Sequence, residues 1–125
     1  MISILSENGS NIPKRALIIL SRQHPGETPG SFICEEMELD LLKNSKKVEF
    51  SLWRFDISIF AMVNIDGVVL GNYRGNFAGF DLNRCWLKPD PTKQPEVFAI
   101  KNMIKKIGRK QPIELIIDLH GHSRK

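Results

Sequence analysis

His24-Pro25-Gly26-Glu27 is answered near the other end of the chain by Asp118-Leu119-His120. His, Glu and His are a zinc ligand set that leaves a fourth position for water. That arrangement marks a catalytic zinc, because a structural zinc is closed by protein ligands on every side, most often with Cys among them. The other reading of His24 and Glu27 is a surface His–Glu pair, since H-x-x-E is a short pattern. Placement separates the two. Arg15 to Arg22 is an apolar run rich in branched residues and ends just before His24. A second run, Ile113 to Leu119, follows Pro112 and ends on His120. Two buried-type strands would each deliver ligands at a C-terminal end, where open α/β sheets place their sites. Asp118 lies two residues before His120, so both side chains share one strand face. A buried Asp needs a partner, which makes Asp118 a candidate to support the site. His122 would continue that face just past the strand.

Those strands belong to one domain at most, since the chain has 125 residues. Residues 2–6 read as a short strand, followed by a turn-rich stretch to Pro13. Thr28-Pro29 reads as a helix start with proline at the first position. Ile33, Met37 and Leu41 then form an apolar stripe opposite Glu35, Glu36, Glu38 and Asp40, predicting a helix over 29–43. A third strand falls within 50–63, strongest at 57–63. Gln94-Pro95-Glu96 opens a second helix, with Val97, Ile100, Ile104 and Ile107 on one stripe and Gly108 as its stop. Alternating strands and helices predict an α/β fold, a mixed sheet flanked by helices.

Composition is that of an ordinary globular chain, with 42% hydrophobic and 26% charged residues and a net charge of +4. Basic residues gather at 43–47, 101–110 and 124–125, and read as solvated faces. No reading motif accompanies them, so nucleic acid is not an expected partner; an acidic substrate would still be attracted. No run is long enough to span a membrane, and no signal peptide is evident at Met1. Cys34 and Cys85 are in no CxxC pattern, and two free thiols in a reducing compartment are the simplest account.

Between Asn64 and Lys93 the chain reads as one irregular loop, with four glycines, two prolines and four asparagines. A loop of that length in a compact domain is usually functional or disordered. Its aromatic, Asp, Asn and Arg content favours an ordered, functional one. Arg74, Asn83 and Arg84 are planar donors suited to gripping a carboxylate. Asx-turns and an Arg–Asp81 pair would explain the same residues as loop supports. Phe80 and Trp86 read as packing anchors.

Residues 24–28 (HPGET), 64–86 (NIDGVVLGNYRGNFAGFDLNRCW) and 118–125 (DLHGHSRK) together resemble the zinc metallocarboxypeptidases. The likeness is strongest to their cytosolic branch, whose members trim glutamates from the tails of tubulin and other proteins. The resemblance implies one zinc ion held by His24, Glu27 and His120. It implies that Arg74 polarises the scissile carbonyl, and that Asn83 and Arg84 bind the substrate's terminal carboxylate. It implies proteolysis at protein or peptide C-termini, glutamate first, with polyglutamylated tubulin among the expected partners and the cytosol as the location.

Two departures stand beside it. Ile65 occupies a position where the family usually has proline. The family's general-base glutamate and a substrate-capping tyrosine come from sequence beyond the third zinc ligand, and its cytosolic branch has a β-rich domain upstream. Residues 1–125 therefore read as part of a catalytic domain, truncated after that ligand. Such a chain is expected to be nearly inactive and poorly soluble alone, with an apolar sheet edge at 113–119. Glu27 would be committed to the metal, and Glu114 would lie about 20 Å from His120 along an extended strand. The alternatives are a non-catalytic zinc- and peptide-binding fragment, or an acylamino-acid hydrolase on the same fold. The ligand choice predicts that His120→Ala weakens zinc binding strongly and His122→Ala hardly at all. Metal titration of both variants checks this, and equal losses would reject the assignment.

Overall fold

The computed structural model describes residues 1–4, 13–43 and 54–121. Strand β1 (Ile2–Ile4) is followed by β2 (Arg15–Ser21), helix α1 (Pro29–Lys43), β3 (Phe55–Phe60), a short helix α2 (Ile65–Val69), α3 (Pro95–Lys110) and β4 (Ile113–Leu119). The strands form one sheet in the order β1-β3-β2-β4. β1 runs antiparallel to β3, while β3 and β4 both lie parallel to β2. The mixed sheet flanked by helices matches the expectation from sequence. The proposed turn before Pro13 and His122 lie outside the described residues.

β2 is buried on both faces, as its unbroken apolar run requires. Ile18 and Leu20 enter one core with Val63, Leu82, Val97 and Ile100, the side covered by α3. Leu17 and Ile19 enter the other with Cys34, Met37, Leu41, Ile57 and Ile59, the side covered by α1. Strand alternation alone sends successive residues to opposite cores. The chain leaves β2 for β3 on one side and returns through α3 to β4 on the other. The C-terminal end of β2 is therefore a switch point of the kind where open sheets bind ligands.

The register decides what reaches that point. Ser21 pairs with Leu119 and Leu20 with Asp118, so His24 and His120 leave the sheet side by side. A register shift sits lower down: Ala16 pairs with Ile113 but Leu17 with Leu115, leaving Glu114 as the extra residue. One inserted residue exchanges the faces of everything after it. It allows Ile113 to pack in the α3-side core while Asp118, opposite Leu20, faces the same side. Glu114 itself pairs with Arg15 at the start of β2.

Three details differ from the sequence reading. Ile33 is exposed; α1 buries Gly30 and Cys34 instead, with Met37 and Leu41 packed against the core. Gly30 belongs to this face because a Cβ there would meet the Ser21 hydroxyl at 2.5 Å. α3 does not stop at Gly108 but runs on to Lys110. The stop is Gln111, whose extended backbone (φ −156°, ψ 156°) is what a following proline, Pro112, imposes. The loop after β3 is not wholly irregular, since Ile65–Val69 form a turn of helix capped by the Asn64 side chain, which accepts from the Gly67 N–H. Its glycine and β-branched residues hide that helix from a propensity reading. The expected apolar sheet edge at 113–119 is present. Leu115, Ile116 and Ile117 are 36–49% exposed, because β4 is the sheet edge and no described strand pairs on its far side.

Leu82, fully buried among Ile18, Leu20, Val63, Val97 and Ile100, anchors the second half of the long loop to the core. Leu82→Ala is expected to cost about 2–5 kcal/mol, read as a fall in the denaturant midpoint of the chain.

Candidate metal centre

The turn after β2 begins with Arg22, whose φ of 56° is left-handed. An Arg holds that conformation only where its surroundings fix it. Here its Nε donates to the Pro25 carbonyl at 3.0 Å and its Nη1 to the Ser31 hydroxyl at 2.9 Å, tying the turn to the start of α1. The Glu27 N–H donates to the His24 carbonyl at 3.1 Å, which closes the turn. Gly26 then docks on the long loop. Its N–H donates to the Tyr73 carbonyl at 2.9 Å. A Cβ at Gly26 would lie 2.9 Å from that same oxygen, so only glycine permits the approach. The residue that follows Tyr73 is Arg74, and the close approach brings it to the site.

His24, Glu27 and His120 converge. His24 Nδ1 lies 3.0 Å from Glu27 Oε1, and His120 Nδ1 lies 2.8 Å from Glu27 Oε2. The two Nδ1 atoms are 3.1 Å apart. The remaining nitrogens face carboxylates: His24 Nε2 is 2.9 Å from Asp81, and His120 Nε2 is 2.7 Å from Asp118. A neutral imidazole whose Nε2–H donates to a carboxylate presents a bare lone pair at Nδ1. Two such lone pairs facing each other beside a carboxylate repel unless a cation stands between them. A tetrahedral zinc with N ligands at about 2.0–2.1 Å would set neighbouring donors about 3.3 Å apart. The donor set fits zinc in identity and in spacing.

The charges agree. Burial pushes the Glu27 carboxyl up, but the Gly121 N–H (2.9 Å) and the two histidines outweigh it and hold it below its ordinary value. Asp81 is likewise raised by burial and lowered further by His24 and Arg74, with a net depression. Burial alone would lower His120, yet its bonds to Asp118 and Glu27 raise it.

The cluster floors a cleft of about 250 Å³ that is also lined by Tyr73, Arg74, Asn83, Arg84 and Gly121. Every site residue expected from the sequence is therefore in one place. Both readings of the loop hold in part. Asp81 does form an Asx-turn with the Asn83 N–H (3.0 Å), and Arg74 does pair with it through Nε at 2.8 Å. The Asn83 amide reaches 3.4 Å from His120 Nε2. Arg84 is exposed at the cleft and takes no partner among the described residues. Sequence reading gave Asp81 only a loop-supporting part; its Nε2 contact with His24 was invisible because the two are separated by 57 positions.

The sequence model described as "Zinc carboxypeptidase" matches residues 1–124. The chain belongs to the zinc carboxypeptidase family. It is 42% identical over 113 residues to cytosolic carboxypeptidase 6 of Mus musculus, and 37% identical over 119 residues to cytosolic carboxypeptidase 3 of Bos taurus. These matches cover 88% and 95% of this chain but 21% and 12% of the relatives, so the chain spans a fraction of their length. The fold superposes on a metallo-carboxypeptidase from Burkholderia cenocepacia with a TM-score of 0.85 at 31% identity, covering 96% of this chain and 32% of that one. A metallo-carboxypeptidase from Pseudomonas aeruginosa gives 0.83 at 29% identity, covering 98% and 31%. Among the described residues, no helix is long and apolar enough to cross a membrane.

Asp81 orients a metal-facing histidine and an arginine at once. Asp81→Ala is expected to weaken zinc binding about 10–100-fold while the chain still unfolds cooperatively; competition with a chromophoric chelator measures the first and circular dichroism the second.

Proposed function

We propose that this site serves a zinc-dependent metallocarboxypeptidase that removes C-terminal residues, glutamate first, from proteins or peptides. The observation that carries this reading is the convergence of His24 Nδ1, Glu27 and His120 Nδ1 in one cleft, beside an Arg84 side chain that has no partner among the described residues. A zinc ion held there supplies Lewis-acid polarisation of a carbonyl and activation of water. Arg84 and Asn83 hold the substrate's terminal carboxylate, Arg84 through two parallel bonds. Arg74, kept in place by Asp81, offers its remaining N–H groups to charge developing on the scissile carbonyl. Protein tails rich in glutamate, polyglutamylated tubulin among them, suit a chain of net charge +4. The names of the relatives support a cytosolic location. Residues 1–125 are then one part of a zinc carboxypeptidase catalytic domain. The same names favour peptide cleavage over acylamino-acid hydrolysis.

One observation favours a second reading, a zinc- and peptide-binding unit. Among the described residues, Glu27 is the one carboxylate that lines the cleft, and it faces both Nδ1 atoms. The proton acceptor of the peptidase reading therefore lies outside the described residues. Release of the terminal residue separates the readings from binding alone.

Arg84→Ala is expected to abolish the preference of the zinc-loaded chain for a peptide with a free C-terminus over its amidated form. Arg84→Lys should restore little of it, because a point charge lacks the fork. Calorimetric titration with the two peptides checks this, and equal binding of both by the unsubstituted chain would overturn the carboxylate clamp.

A further inference from the structure

Gln23 is fully buried, directly before a metal-facing histidine, and the activity as proposed gives it no part. A buried primary amide is costly unless its groups are bonded, and the partners here determine how it is oriented. The Trp86 Nε1–H reaches Gln23 Oε1 at 2.8 Å. An indole nitrogen only donates, so the amide oxygen must face Trp86. The NH₂ group must then face the other partner, Asp118 Oδ2, to which Nε2 donates. That same Asp118 oxygen accepts from His120 Nε2. Trp86 is fixed in turn: it packs against the α3-side core, and Lys101 of α3 donates to its carbonyl at 2.6 Å and to that of Leu87 at 2.7 Å.

We propose that Gln23 is a positioning residue for the metal centre, locked by Trp86 so that it holds the Asp118 carboxylate against His120 and keeps Nδ1 of that ring turned to the metal. The symmetry of the site supports this. The carboxylate behind His24, Asp81, is held by Arg74 and by the Asn83 N–H. Asp118 stands on the edge strand, its side chain 29% exposed. It has no such arginine; Gln23 is the one described donor to it besides His120. Without Gln23 its carboxylate would be free to turn to water, and His120 would lose the contact that orients it.

This inference rests on the zinc reading, and zinc itself is the probe. Gln23→Met keeps the volume but neither bond. Gln23→Glu keeps an acceptor for Trp86 and gives Asp118 a carboxylate in place of a donor. Trp86→Phe removes the lock and leaves Gln23. In the full chain, both Gln23 variants are expected to bind zinc at least about tenfold more weakly, and to shift the visible absorption of the Co²⁺-loaded protein, which reports ligand geometry. Trp86→Phe should lose less, and Gln23→Met with Trp86→Phe should lose no more than Gln23→Met alone, since the two act in series. A merely structural part for Gln23 would lower the melting temperature of the metal-free chain and leave zinc affinity and the Co²⁺ spectrum unchanged; that result overturns the proposal. Should Gln23→Met not fold, Trp86→Phe and Gln23→Glu decide by the same readouts. Failure of the unsubstituted chain to bind zinc overturns the metal reading and this one together, whereas tight binding retained in all variants overturns this one alone.

Discussion

Each histidine of the site commits Nε2 to a carboxylate, His24 to Asp81 and His120 to Asp118, and nearly everything else follows from those two bonds. They choose the tautomer and turn both Nδ1 lone pairs inward. With both lone pairs inward, the two Nδ1 atoms, 3.1 Å apart, form a place for a cation. An imidazole free to rotate would bond to water or to Glu27 and present no such point. The carboxylates must therefore be fixed better than the histidines they hold. Each is, by donors that come from elsewhere in the chain: Arg74 and the Asn83 N–H for one, Gln23 for the other.

Fixing those donors explains why so many polar side chains are buried here. Asn64 bonds its amide to the Gln23 carbonyl at 3.1 Å and accepts from Gly67 at 3.0 Å, joining the turn after β2 to the short helix α2. Asn76 gives its amide to the Lys93 carbonyl at 2.8 Å and takes the N–H groups of Ala78 and Phe80. Gln94 accepts from the Asp90 N–H at 2.9 Å. Each is a side chain standing in for the ladder partner that a loop lacks. Buried polar groups of this kind are costly when half satisfied and stiffening when fully satisfied. Together they hold a mostly irregular segment in the one arrangement that delivers Arg74, Asp81, Asn83 and Arg84.

The central part of this arrangement was legible from the residues and the rest was not, for definite reasons. Strands β2 and β4 announce themselves by branched-apolar runs, the second interrupted by Glu114 and Asp118, and a ligand just past each end needs only parallel pairing to converge. The helix stop was misplaced because Gly108 is a common terminator, whereas the conformation imposed on Gln111 by Pro112 overrides it. Ile33 was misassigned because several apolar residues of α1 share no single face, and packing against Ser21 and Leu119 selects Gly30 and Cys34. The parts of Asp81 and Gln23 were beyond reach, since each depends on contacts between residues 57 to 95 positions apart. The specific blocks at 24–28, 64–86 and 118–125 supplied the roles that spacing left open.

The electrostatic character of the cleft bears on what it would admit. Glu27 is held below its ordinary carboxyl value, so its charge is available to the metal across the ordinary working range of pH. Asp81 and Asp118 are turned to the histidines behind the cleft and are not among its lining residues. What faces the open space is Arg74, Arg84 and the Asn83 amide, with Tyr73 and Gly121. A divalent cation added beside Arg74 and Arg84 would make the cleft more positive. Under the proposed function this field favours a free C-terminal carboxylate, and a second carboxylate one side chain away, as in a terminal glutamate, benefits further. The proposed preference for acidic C-termini rests on where the site holds its own negative charge: behind the histidines, where it orients ligands, and away from the open space of the cleft.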